Sequence, residues 1–250
     1  MASQEIDLGM PVSTKVPDGV PPLTAQTRLE VREIIARYPK ARSALLPMLH
    51  LVQSVQGYVS PDGITLCSEE LGLTKAEVGA VATFYTQYRR KPAGTYHVGV
   101  CTNTLCAVLG GDAILDAVKE HVGVGHNETT ADGVISVEHL ECNAACDYAP
   151  VVMVNWEFYD DMTPASAREL IDRLVAGEPV APTRGPDRQP TFKEMSRVLA
   201  GFPDGLATQG VQAGPATLAG LQMAQERGES VPEYSSTPQP DQEHSQKKDA

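Results

Sequence analysis

Residues 95–106 read TYHVGVCTNTLC, an apolar run that leads directly into a close pair of cysteines, Cys101 and Cys106. The apolar half is rich in β-formers and predicts a buried strand. A second pair, Cys142 and Cys146, follows another predicted strand in DGVISVEHLECNAAC. Loops at the strand ends of an α/β sheet gather into sites. We therefore expect the two cysteine pairs to meet in space.

The sequence around these pairs alternates strand and helix patterns. GGDAILDAVKEHVGV has apolar residues at helical spacing, and PVVMVN reads as a third strand. The stretch TPASARELIDRLVAG predicts a second helix. Thr163 would be its N-cap, Pro164 its first helical residue and Gly177 the residue just after its C-terminal end. The order strand, helix, strand, strand, helix predicts an α/β domain over residues 93–178.

Residues 23–92 predict a small helical bundle. TRLEVREIIARY places apolar residues at i, i+3, i+4 and i+7, and TKAEVGAVATFYTQY opens with Thr74 and Glu77, a capping-box pair. We expect Phe84 and Tyr85 to supply the main aromatic packing of this bundle. The predicted fold class is therefore α+β, an N-terminal helical bundle followed by an α/β domain.

The two ends of the sequence lack periodic apolar patterns. Residues 1–22 carry Pro, Gly and Ser and predict a flexible N-terminal arm. Residues 179–250 are dominated by Pro, Gly, Gln and Ser and predict a mostly irregular C-terminal extension. A short helix is expected there in TFKEMSRVLAG, residues 191–201.

Composition excludes several classes of partner. The net charge is −12, which argues against the nucleic-acid backbone or an anionic lipid surface as a main partner. Apolar runs are short, so we expect no direct membrane insertion. The N-terminal residues show neither a signal-peptide nor a transit-peptide pattern, and we expect a cytoplasmic protein.

Four of the five cysteines are candidate metal ligands. Five cysteines are too few for a disulfide scaffold, and paired cysteines without a signal peptide more often bind metal or do redox work. Four thiolates can hold a tetrahedral zinc or an iron–sulfur cluster. The gaps of four and three residues are wider than the usual zinc knuckle and modestly favour a [2Fe-2S] cluster. Cys67, by contrast, is expected to be a small apolar packing residue.

The residues beside these cysteines suggest how a cluster would be tuned. Both loops are rich in small residues, so backbone N–H groups can donate to the sulfurs. Glu141 and Asp147 flank the second pair; they either lower the reduction potential by their charge or simply face solvent. His97 and His139 are expected to be structural or solvent-facing, because four cysteines are already present.

At this point the sequence resembles a known family. VCTNTLC and DGVISVEHLECNAACDYAP, together with LLPMLHLVQSVQGYVS and LGLTKAEVGAVATFY upstream, are similar to the thioredoxin-like [2Fe-2S] ferredoxin subunit of bacterial respiratory complex I. That family is known as the E subunit of the proton-pumping NADH:quinone oxidoreductase. The resemblance covers about residues 25–177 and implies a thioredoxin-like fold for the α/β domain.

The resemblance also implies a ligand set. Cys101 and Cys106 would hold one iron of a single [2Fe-2S] cluster, and Cys142 and Cys146 would hold the other. Departures from the family pattern occur beside the third cysteine, where a bulky apolar residue and Gly are usual, and in the preceding strand, where Phe is usual. They are Asn143, Ala144 and Ile135.

The role that follows from this resemblance is electron transfer within a larger enzyme. The partners would be the flavin- and NADH-binding subunit, which holds FMN and NADH, and the adjoining multi-cluster iron–sulfur subunit. The chain itself would carry no NADH or quinone site and would lie in the peripheral arm on the cytoplasmic face of the membrane. Alternatives are a zinc-stabilised binding module, a stand-alone ferredoxin, or the equivalent diaphorase subunit of an NAD-linked hydrogenase or formate dehydrogenase.

Overall fold

A computed structural model describes residues 19–231, so the predicted arm lies almost wholly outside the described residues, as do residues 232–250. The described residues divide into two units, the first ending at Gln212 and the second beginning at Ala213. The predicted α+β class is confirmed, with helices before and after a five-stranded sheet in the sequence.

The N-terminal bundle consists of four helices. They are α1 (Ala25–Ala36), α2 (Leu45–Gln56), α3 (Pro61–Leu71) and α4 (Lys75–Phe84). The predicted Thr74–Glu77 capping box begins α4, and the left-handed Gly57 ends α2. The core is aliphatic and centres on α2, whose Met48, Leu49 and Val52 are fully buried. Cys67 is also fully buried in this core, as predicted.

Five strands form one sheet in the order β2-β3-β1-β4-β5. Their bounds are β1 (Tyr96–Cys101), β2 (Glu128–Thr129), β3 (Ile135–Leu140), β4 (Val152–Val154) and β5 (Glu157–Tyr159). The central pair, β1 and β3, is parallel, and the other pairings are antiparallel. The predicted three strands are present, and the short β2 and β5 are additional.

Three helices belong to this domain: α5 (Thr104–Val108), α6 (Gly111–Val122) and α7 (Pro164–Val175). The predicted caps of α7 are present, since Thr163 accepts a hydrogen bond from the Ser166 N–H and Pro164 occupies the first position. Apolar residues of α6 and α7 share one core with the inward side chains of the strands. This core holds β1 and β3 in place, and the cysteine pairs lie at the C-terminal ends of these two strands.

Part of the C-terminal extension is built into the first unit. The helix α8 (Phe192–Leu199) confirms the helix predicted over 191–201 and packs against α2. The Phe192 ring is fully buried and stacks on Trp156 at 5.2 Å between centroids. Gln53 of α2 reaches Ser196 at 3.4 Å. The segment therefore packs against both the helical bundle and the sheet domain.

The second unit contains one helix among its described residues, α9 (Pro215–Glu226). None of the residues in this helix is buried. The sequence did not predict it, because its apolar residues form no single face. Within residues 19–231, no helix is long and apolar enough to cross a membrane.

The predicted role of two aromatic residues is wrong. Phe84 is 78% exposed and Tyr85 is 43% exposed, so neither forms the main packing of the bundle. The physical reason is that α4 ends at Phe84 and Tyr85 is extended, which turns both rings outward. Tyr88 is buried instead, and its hydroxyl donates to the Leu46 carbonyl at 2.9 Å.

Candidate metal centre

The parallel pairing of β1 and β3 brings the two cysteine pairs to one edge of the sheet. Cys101 is the last residue of β1 and lies opposite Leu140, the last residue of β3. Cys142 follows two residues later. Because parallel strands end on the same side, both loops emerge together. The expected meeting of the two pairs in space is confirmed.

All four cysteines line one small pocket, together with Asn143, Ala145 and Val151. The first pair is buried, with Cys101 at 3% and Cys106 at 2% exposure, whereas Cys142 and Cys146 are exposed. One side of the pocket is therefore packed into the protein and the other side faces outward.

The spacing of the sulfurs fits metal ligation by pairs. Cys142 Sγ and Cys146 Sγ are 3.8 Å apart. Two thiolates on one tetrahedral ion, at a metal–sulfur distance of about 2.3 Å, lie roughly 3.8 Å apart. Within residues 19–231, no three His, Cys, Asp or Glu side chains form a group that could hold a single metal ion. The Cys101 thiol contacts that of Cys106, and the Cys142 thiol contacts that of Cys146, so the four cysteines line the pocket as two pairs.

Backbone N–H groups donate to one sulfur in each pair. The Ala144 N–H donates to Cys142 Sγ at 3.4 Å, and the Val151 N–H donates to the Cys106 sulfur. Such bonds stabilise a thiolate and tune a bound cluster. To make its contact, Ala144 adopts the left-handed conformation with φ of +56°. This is the position where the family pattern has Gly.

The pKa values of two of the four thiols, Cys106 and Cys146, are raised, which favours their protonated form. Burial raises the pKa of Cys106 to about 11, and the Val151 N–H opposes that rise. The pKa of Cys146 is raised by its hydrogen bond with Cys142 and by burial. Thiols ligate metals as thiolates, so binding at this site releases protons.

A glycine at the start of α6 permits the close approach of this helix to the loop that carries Cys101 and Cys106. A Cβ atom on Gly111 would lie 2.5 Å from the Cys101 carbonyl oxygen and 2.9 Å from that of Cys106. Contacts this short with backbone atoms force the backbone to move. Gly111 was not among the residues expected at the site, although the Gly110–Gly111 pair soon after Cys106 was a usable signal.

The acidic residues beside the second pair both have partners. Glu141 accepts a hydrogen bond from the Asn103 amide at 3.0 Å, which joins the two cysteine loops. Asp147 lies 3.6 Å from the Arg184 guanidinium. Both residues are exposed, and each carboxylate also has a partner in the protein. Arg184 is a residue near the site that the sequence did not reveal.

The histidines are not part of the pocket. His97 is buried and its Nε2 lies 2.7 Å from Glu138, which also pairs with Arg89 at 2.9 Å. Burial lowers the pKa of His97 despite this carboxylate. His139 bonds through its backbone N–H to the His126 ring at 3.0 Å. The structural interpretation of both is confirmed by these contacts.

Exposed apolar side chains border the first cysteine pair. Leu105, Val108 and Leu109, in and just after α5, are 43%, 78% and 52% exposed. Cys106 lies in the same helix with its sulfur in the pocket. We call these three residues the α5 apolar patch. Adjacent apolar side chains this exposed are typical of interaction surfaces.

Comparison with known proteins is consistent with this arrangement. The family model described as thioredoxin-like [2Fe-2S] ferredoxin matches residues 31–175. The chain is 59% identical over 214 residues to the NADH-quinone oxidoreductase E subunit of Mycobacterium tuberculosis, covering 85% of this chain and 84% of that protein. It is 37% identical over 151 residues to NADH-quinone oxidoreductase subunit 2 of Thermus thermophilus, covering 59% of this chain and 83% of that one.

Among solved structures, this chain is similar to an air-oxidised NAD+-reducing [NiFe]-hydrogenase. The similar region covers 54% of this chain and 23% of the hydrogenase chain. The identity is 22% and the TM-score 0.49. This likeness is slight.

Proposed function

The chain belongs to the thioredoxin-like [2Fe-2S] ferredoxin family and, within it, to the family of the NADH-quinone oxidoreductase E subunits, and we propose that it is an electron-transfer subunit of such an enzyme. Cys101 and Cys106 would hold one iron of a [2Fe-2S] cluster, and Cys142 and Cys146 the other. The cluster would exchange electrons with the flavin of a neighbouring NADH-oxidising subunit. The assembly would be the peripheral arm of a complex on the cytoplasmic face of the membrane.

The observation that carries the proposal is the convergence of two cysteine pairs on one pocket. Each pair comes from the end of one of two parallel strands, and one sulfur in each pair accepts a backbone N–H. A two-iron cluster needs two thiolates for each iron, and this arrangement provides them. A bound cluster would supply reversible one-electron storage.

The protein's own residues would shield and orient that cluster. Val151 and Ala145 are buried and pack beside the sulfurs of the first pair, which keeps water from that side. Cys142 and Cys146 face outward. Electron exchange with a partner is favoured through the outward side, because little protein lies between.

The α5 apolar patch offers a surface for the flavin-bearing partner. It borders the pocket on the helix that contains Cys106, so a partner covering it would also approach the cluster. Burying Val108 at such an interface would contribute about 1.5 kcal/mol or more. The 59% identity to an E subunit favours a quinone reductase over a diaphorase assembly.

The proposal is tested by reduction with NADH. The full chain is co-purified anaerobically with the flavin- and NADH-binding subunit of the same source, NADH is added, and the cluster is followed by EPR. We expect a reduced [2Fe-2S] signal in the complex and none when NADH meets the chain alone. A loaded cluster that stays oxidised in the complex, yet is reducible by dithionite, would refute the electron exchange.

The docking surface is tested by a charge introduced into the patch. Val108→Asp is expected to weaken co-purification at least tenfold while the isolated chain keeps its cluster spectrum. Val175→Asp, at a valine that is 53% exposed on α7, is the matched control and should bind normally. Equal loss with both variants would exclude a specific role for the patch.

A further inference from the structure

The segment that follows α7 returns to the second cysteine pair. The Thr183 N–H donates to the Phe158 carbonyl at 2.9 Å, and the Asp160 N–H donates to Thr183 Oγ1 at 2.9 Å. Arg184 forms an isolated antiparallel bridge with Phe158. These bonds hold residues 183–184 beside β5 and fix the position of the Arg184 backbone.

The Arg184 side chain lies between two carboxylates and two aromatic rings. Its guanidinium is 2.6 Å from Asp160 and 3.6 Å from Asp147. Its central carbon is 5.5 Å from the centre of the Tyr148 ring and 5.0 Å from that of Phe158. The side chain is only 14% exposed. A planar guanidinium suits this position because it stacks on rings and binds carboxylates at the same time.

Two of these contacts are made with the residues that directly follow Cys146. Asp147 and Tyr148 belong to the short turn that begins at Cys146. A displacement of this turn would move the Cys146 sulfur, which lies in the pocket. Arg184 lies outside residues 31–175, the span of the family match, so the contact comes from the C-terminal extension of this protein.

We propose that Arg184 is a positioning residue for the cluster: it holds the Cys146 turn through Asp147 and Tyr148, and its charge raises the reduction potential by offsetting that of Asp147. The inference rests on the proposed function, since it requires a redox-active cluster at the four cysteines. It assigns a contact and a task to the segment beyond the family core.

The two parts of the proposal have different physical causes. A carboxylate beside a ligand disfavours the added electron, and a nearby cation offsets that effect, more strongly where solvent is partly excluded. Any cation at this position would act on the potential. Holding the turn depends on the flat guanidinium, because a lysine ammonium neither stacks on two rings nor binds two carboxylates in a plane.

The experiment uses the full chain, purified anaerobically with its cluster, and three single variants. Arg184→Met removes both the positive charge and the planar guanidinium group, whereas Arg184→Lys keeps the charge and removes only the planar group. Arg188→Met is the matched control, because Arg188 lies in the same segment but pairs with Glu194 at 3.1 Å. The readouts are the midpoint potential from an EPR-monitored redox titration and the rate of cluster loss to a chelator.

The proposal predicts a distinct pattern for each variant. Arg184→Met shifts the midpoint potential to more negative values and loses the cluster roughly tenfold faster, as expected from the loss of two partly buried ion pairs and two ring contacts. Arg184→Lys keeps a potential near that of the unchanged protein but loses the cluster faster. Arg188→Met changes neither quantity.

Three results would overturn the inference. They are an unchanged potential and loss rate in Arg184→Met, an equal potential shift in Arg188→Met, or, if Arg184→Met does not fold, an unchanged loss rate in Arg184→Lys. A starting protein with zinc or without a reducible cluster would instead refute the proposed function itself, so the two failures are separable.

Discussion

The left-handed backbone of Ala144 gives a sharp prediction, because an adjacent alanine provides its own control. Ala144 has φ of +56°, whereas the buried Ala145 has φ of −107°. A side chain in the left-handed region costs about 1–2 kcal/mol, which glycine does not incur. Ala144→Gly should therefore relieve strain in the folded protein, whereas Ala145→Gly has no strain to relieve.

The expected magnitudes follow from both the folded and the unfolded state. Glycine makes the unfolded protein more flexible, which costs about 0.4–1 kcal/mol of stability in either variant. For Ala144→Gly the net effect is a gain of about 0.5–1 kcal/mol. Ala145→Gly also loses a buried methyl group worth about 0.8 kcal/mol, so its net effect is a loss of about 1.5 kcal/mol.

Thermal unfolding of the cluster-loaded protein, followed by circular dichroism, compares the two variants. The midpoints should differ by roughly 4–8 °C, with Ala144→Gly above the unchanged protein and Ala145→Gly below it. The N–H that donates to Cys142 is kept in both. If Ala144→Gly melts at or below Ala145→Gly, the strain argument is wrong.

Three further predictions concern stability measured by denaturant unfolding. Gly111→Ala should lower the free energy of unfolding by about 1–3 kcal/mol, because the added Cβ would meet two carbonyl oxygens. Gly79→Ala in α4 should raise it by about 0.5–1 kcal/mol, because nothing lies within 4 Å of the added Cβ. Equal effects of the two substitutions would contradict the close-packing argument. Burial, and to a lesser extent the charge of Asp204, raises the pKa of Glu157 to about 7. Between about pH 4.5 and 7 the Glu157 carboxyl is therefore protonated in the folded state and ionised in the unfolded state. The free energy of unfolding should fall as the pH rises through this range. Glu157→Gln should remove that dependence and add about 1–2 kcal/mol at pH 8 after solvent screening; an unchanged pH profile would count against it. Phe192→Ala should cost about 3–4 kcal/mol, whereas Leu199→Ala, at a partly exposed site on α8, should cost less than half of that; a small loss for Phe192 would mean that α8 is not part of the fold.

Local patterns in the sequence were sufficient for the elements that position the site. The apolar run before Cys101, the strand before Cys142 and the capping residues of α4 and α7 each determine structure over a few residues. Parallel pairing of β1 and β3 then follows from the alternation of strands and helices, and it brings the cysteines together. The helix over 192–199 was likewise readable from its own apolar face.

The remaining features depend on contacts between residues that are distant in the sequence. Nothing near Asp147 indicates that Arg184 lies beside it, because that ion pair depends on where residues 183–184 meet β5. Phe84 and Tyr85 fit a helical pattern, but the helix ends at Phe84 and exposes both. The departure at Ala144 was visible, and only the backbone angle showed that glycine suits the position.

The central claim is that the four cysteines hold one [2Fe-2S] cluster, and metal analysis combined with EPR tests it most directly. The full-length protein would be purified anaerobically and measured before and after addition of dithionite, with Cys142→Ser as the variant. We expect two irons per protein molecule, a signal that appears on reduction, and loss or rearrangement of that signal in Cys142→Ser. One zinc per molecule with no signal, or a spectrum that Cys142→Ser leaves unchanged, would contradict the assignment.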